Sequence, residues 1–153
     1  MGAVADPISR VLGIKVSSAL PLMSAVEKGL PLAALDRVVR SVAPADSRFA
    51  FRIISKAHLA RRRKALSEAR GAAEGRLSAE EGTRLARLAS VWAMALEVWG
   101  SEADARRFMF EPHPLLGGST PVDVVLKSEL GARWSKGFWG GCNTAPPCDG
   151  ADA

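Results

Sequence analysis

Six basic side chains crowd one short stretch of this chain. Arg52, Lys56, Arg61, Arg62, Arg63 and Lys64 fall within FRIISKAHLARRRKA, residues 51–65, and no Asp or Glu stands anywhere in 52–64. Cations without local carboxylates suit a polyanion, because every neutralised phosphate releases counterions. The segment follows two short helical stretches at the spacing of a helix-turn-helix, whose last helix enters the major groove. In that arrangement Lys56, Ala57, His58 and Arg61 read base edges, while Arg52, Arg62, Arg63 and Lys64 hold phosphates. The bland alternative is a solvated basic helix face, and the missing acidic neighbours weigh against it.

A second segment, PHPLLGGSTP at residues 112–121, pairs two glycines after a helix. A phosphate cradle would need a preceding strand and a GxxxxGK[ST] pattern, and neither is present. The better reading is a conformationally special loop between helices. Pro112, His113, Pro114, Leu115, Leu116, Gly117, Gly118 and Thr120 are then candidates for contact with a protein partner.

Catalytic and metal chemistry find little support. Cys142 and Cys148 stand six positions apart, with His58 and His113 far from both, which is not zinc spacing. No Ser-His-Asp or Cys-His arrangement is locally supported. The expectation is a protein that is not an enzyme, with no cofactor and no metal.

The elements that must position these segments are helical. Ala, Leu and Arg are the commonest residues, Tyr is absent and aromatics make up 6% of the 153 residues. Leu22 to Lys28 predicts a short helix stopped by Gly29, and Pro31 opens another carrying Leu32, Leu35, Val38, Val39 and Val42. Pro44 breaks that helix. Asp46 or Ser47 can cap a turn with Phe49, Ala50 and Ile53, and Ser55 is an N-cap for a helix through Leu59 and Leu66. Ser78 with Glu81 forms a capping box before a long helix. On it Leu85, Leu88, Trp92, Leu96 and Trp99 make one apolar stripe, read as core or dimer seam. Ser101 and Thr120 cap two shorter helices. The fold class expected is all-α.

The domains expected are a loose or weakly helical arm at 1–20, a helix-turn-helix bundle at 21–75, a second helical domain at 76–133 and a disordered tail at 134–153. The Gly- and Ala-rich SEARGAAEGR, residues 67–76, marks the boundary between the two bundles. A net charge of +5 favours a nucleic-acid partner or an anionic surface. No signal peptide is visible and Leu88 to Leu96 falls far short of the ~20 apolar residues that span a bilayer, so a cytoplasmic protein with no membrane contact is expected.

Read together, the pieces resemble the Xre/MbcA/ParS antitoxins, partners of RES-domain toxins, over residues 22–133. The family-like runs are GLPLAALDRVV at 29–39, HLARRRKA at 58–65, RLSAEEGTRLARLASVWAMALEVWG at 76–100, SEADARRFMFEPHPLLGGSTPVDVV at 101–125 and LGAR at 130–133. The resemblance implies an Xre-like helix-turn-helix that binds operator DNA and represses its own operon. It further implies a toxin-binding and dimerisation domain at 76–133, a homodimer, and a toxin partner that degrades NAD. The sequence departs from the family at SEARGAAEG, 67–75, and above all after Arg133, where WSKGFWGGCNTAPPCD replaces a final amphipathic helix. With GC-rich codons chosen for this stretch, a reading frame two nucleotides further along encodes REVVEGVLGRLQYGTAV and a stop, so a frame-shifted ending is expected. A stand-alone regulator without a toxin, and a helical adaptor whose basic helix meets an acidic protein or a membrane, are the alternatives.

Overall fold

The computed structural model describes residues 5–15, 19–68 and 75–127. The tail expected at 134–153, with Cys142 and Cys148, lies outside the described residues, as does LGAR. Seven α-helices follow in order: α1 (Ala5–Leu12), α2 (Ala19–Lys28), α3 (Leu32–Val42), α4 (Lys56–Ser67), α5 (Ala79–Trp99), α6 (Glu102–Phe110) and α7 (Pro121–Lys127). Two 3-10 turns, Phe49–Arg52 and Pro114–Leu116, punctuate them. The fold is all-α; among the described residues the one strand-like pairing is an isolated bridge between Pro31 and Arg76.

Local chemistry sets most of the helix ends. Ser55 Oγ accepts from the His58 N–H at 3.3 Å and starts α4. Ser78 and Glu81 close a full capping box at α5, each side chain accepting from the other's backbone N–H. Gly100, at φ +71, ends α5 in the left-handed conformation that glycine takes without strain. Gly29 has a second reason to lack a side chain. Its φ is +92, and a Cβ there would sit 2.9 Å from both Arg76 Cβ and the Leu77 carbonyl oxygen. The chain returning after α4 crosses at this point, with the Leu77 N–H donating to the Leu30 carbonyl at 2.8 Å.

Helix α5 runs through the middle, and α1, α2, α3, α6 and α7 all pack on it. Leu85, Leu88 and Trp92 are fully buried, as are Ala89, Val91 and Ala95 on other sides of the same helix. A helix that is apolar nearly all round belongs inside a fold. The alanines let neighbours approach where the Leu and Trp stripe does not point. Complete burial of Leu85, Leu88 and Trp92 within one chain removes them as a dimer seam. Trp99, the last residue of that stripe, is 46% exposed.

Two expectations change on inspection of the core. Residues 5–12, read within a loose or weakly helical arm, form α1, which is no arm but packs on α3 and α5 with Val11 and Leu12 buried. Only Ile8, Val11 and Leu12 carry its apolar side, too few to show a period before Gly13 ends the helix. The boundary drawn at 75/76 does not divide the core either. Leu35, Val38, Phe49 and Ile53 belong to the same buried cluster as Leu88, Trp92, Met109 and Val125.

Candidate nucleic-acid and protein interface

Helix α4 lies on the surface, with Leu59 as its one fully buried side chain and Arg62 half-buried. It is held there largely by charge. Arg62 pairs with Glu81, which sits at the third position of α5 and is itself buried. The same carboxylate accepts the Ser78 backbone N–H at 2.9 Å, and His58 Nδ1 lies 3.6 Å from its other oxygen. Burial alone would raise the Glu81 carboxyl. The Arg62 hydrogen bond, the Ser78 backbone N–H and the Arg62 charge outweigh it and hold the group below its ordinary value. Arg63 reaches back to Asp36 of α3 at 2.8 Å, and Lys64 stands 3.8 Å from Glu68 one turn on.

Arg52, just ahead of α4, pairs with Asp123 in the first turn of α7. Its guanidinium also lies 5.7 Å from the centroid of the Phe49 ring. The basic run therefore lacks acids only along the sequence. Asp36, Glu68, Glu81 and Asp123 supply them in space. Of the seven residues expected to contact DNA, Arg62 is turned inward, with a side chain 18% exposed, and Arg52, His58, Arg63 and Lys64 each face a carboxylate. Lys56 and Arg61 are exposed and make no ion pair among the described residues.

The second surface is built from the end of α5, helix α6 and the loop to α7. Ser101 Oγ caps α6 by accepting from the Asp104 N–H at 3.2 Å. Arg106 on α6 donates to the Ser41 carbonyl at 2.8 Å, near the end of α3, and its guanidinium stands 5.9 Å from the Trp92 ring. Helix α6 is thereby anchored to both α3 and α5.

The loop closes on itself. The His113 N–H donates to the Ser119 carbonyl at 3.1 Å, and the His113 carbonyl accepts from Leu116 and Gly118, each at 3.0 Å. Gly117 and Gly118 both have positive φ, +63 and +79, which fixes the turn to glycine. Pro112, Pro114, Leu115, Gly117 and Gly118 are exposed, whereas His113, Leu116 and Thr120 are half-buried. Thr120 is engaged in capping, since its Oγ1 accepts from the Asp123 N–H at 3.2 Å and donates to the Asp123 carboxylate at 2.8 Å.

Sequence reasoning missed what flanks this loop. Val98 and Trp99 are exposed at the end of α5. Trp99 stacks at a tilt 5.9 Å from Phe108, which in turn meets His113 at 6.2 Å, so one aromatic run joins the helix end to the loop. The signal was Gly100, which puts Trp99 in the last turn of α5, at the edge of what the helix buries.

No curated protein matches the chain. Residues 94–133 match the family model described as the antitoxin Xre/MbcA/ParS C-terminal toxin-binding domain, a stretch that takes in Val98, Trp99, α6, the paired-glycine loop and α7. That similarity supports an antitoxin role for the chain, with a toxin as its protein partner.

Proposed function

We propose that the chain is an antitoxin that neutralises a RES-domain, NAD-degrading toxin and represses its own operon by binding operator DNA. The observation that carries the reading is the coincidence of the matched toxin-binding stretch with an exposed, internally hydrogen-bonded loop, Pro112 to Ser119, bordered by Val98 and Trp99. A rigid loop with exposed Pro and Leu loses little entropy on docking, which suits a protein interface. The RES identity of the toxin follows the sequence resemblance. The DNA-binding half is supported by the surface position of α4 and by Lys56 and Arg61 at its solvent side.

The chain acts as a homodimer in this reading, which brings two α4 helices to one duplex. Its seam is the outer face of α2, where Leu20 and Met23 are exposed above a groove of about 370 Å³ lined by Leu22, Met23, Val26, Ala79, Thr83 and Ala86. This face lies outside the stretch matched to toxin binding, leaving both surfaces free to work together.

Co-expression with the product of the adjacent gene tests the whole reading. A stable complex that abolishes the partner's NAD consumption supports it. A co-purifying partner with no RES domain overturns the RES identity alone, and no co-purifying partner replaces the reading with the stand-alone regulator.

A further inference from the structure

Arg52 and Asp123 join the 3-10 turn ahead of α4 to the first turn of α7. Their side chains are 39% and 30% exposed, so the pair sits where a ligand can reach it. Neither group is loose. The Arg52 guanidinium is laid against Phe49, which packs edge-on against Phe110 at 5.8 Å. Asp123 is held from behind by the Thr120 hydroxyl at 2.8 Å. A carboxylate offers a guanidinium the same pair of oxygens as a phosphodiester does.

We infer that Asp123 stands in for a DNA phosphate on Arg52, so that the toxin-binding part of the chain competes with the duplex for one of its cations. The inference rests on the DNA-binding reading of α4 and its approach. Arg52 stays on Asp123 when the free antitoxin binds DNA, and the duplex is gripped with one phosphate contact fewer than the basic run could supply. A partner cation that takes Asp123 hands Arg52 to the duplex. By linkage, DNA then favours that partner by the same factor.

Fluorescence anisotropy over a salt series tests this, with a labelled duplex from the region upstream of the gene and a scrambled duplex of equal length. Asp123→Asn keeps a hydrogen-bonding partner for Thr120 and removes the charge. It should tighten binding to either duplex by roughly two- to fivefold at low salt, the range that exposed ion pairs carry. It should also steepen the slope of log affinity against log salt by about 0.9, one extra phosphate contact. Arg52→Ala alone should change little, and in the double variant the gain should vanish. If Asp123→Asn binds like the parent, or its gain survives in the Arg52→Ala background, the competition does not exist. If the parent binds neither duplex, the DNA-binding reading and the inference fall together.

Discussion

Arg62, in the middle of the most basic helix, points away from solvent and into Glu81 at the start of the longest helix. A residue that reads as a phosphate clamp along the sequence is in this fold a tie between α4 and α5. Its neighbour Arg61 is exposed and makes no ion pair among the described residues.

The two adjacent arginines should therefore part company under mutation. Arg62→Ala leaves the buried Glu81 carboxylate without its main partner and should cost about 1–3 kcal/mol of stability. Arg61→Ala should leave the melting temperature unchanged and weaken DNA binding, by about 1–3 kcal/mol if it reads a base. Thermal melts and operator titrations of the two single variants measure this. Equal melting temperatures would remove the structural role assigned to Arg62.

Glu81 also gives the fold an acid limit with a defined sign. Its folded pKa lies below the ordinary value of 4.5, so the carboxylate's contribution is fully present above that value. It is lost as pH falls through the folded pKa. Glu81→Gln should lower stability at neutral pH, and the gap to the parent should shrink progressively below pH 4.5. Denaturant titrations at a series of pH values read this directly; a gap that widens on acidification has the wrong sign for the mechanism.

Trp92 and the α2 face separate folding from association. Trp92 is fully buried, and Trp92→Ala should cost about 3–5 kcal/mol, as large core truncations do. Leu20→Glu with Met23→Glu, both on exposed side chains, should leave the fold intact and halve the mass in solution. Light scattering after size exclusion distinguishes the outcomes. A parent of monomeric mass overturns the proposed homodimer, and a double variant that keeps a dimeric mass puts the seam elsewhere.

On the toxin side, Leu115 is 59% exposed at the tip of the loop. Leu115→Glu should reduce toxin affinity by about 2 kcal/mol or more, as loss of an interface anchor does, with DNA binding and melting temperature untouched. Calorimetry against the purified partner checks it. Undiminished affinity would move the contact toward Val98 and Trp99.

Features governed by near neighbours in the chain were legible before the structure. The caps at Ser55, Ser78, Ser101 and Thr120, and the stop at Gly100, each depend on groups within four residues. The paired-glycine loop, closed between His113 and Ser119, was nearly as local. What escaped was set by distant partners. The acids facing Arg62 and Arg63 are 19 and 27 positions away, and no reading of a basic run anticipates them. Helix α1 escaped because a two-turn helix has too few apolar positions to show a period, and its place is decided by α3 and α5.

The undivided core bears on how such a protein is removed. Phe49 and Ile53 from one half and Trp92 and Val125 from the other are buried in a single cluster. Because the cluster spans both halves, each loses part of its interior once the other unravels. A protease that pulls on either end therefore takes down the surfaces proposed for the toxin and the duplex in one cooperative event. If the chain performs both tasks proposed for it, its turnover frees the promoter and the toxin at the same moment.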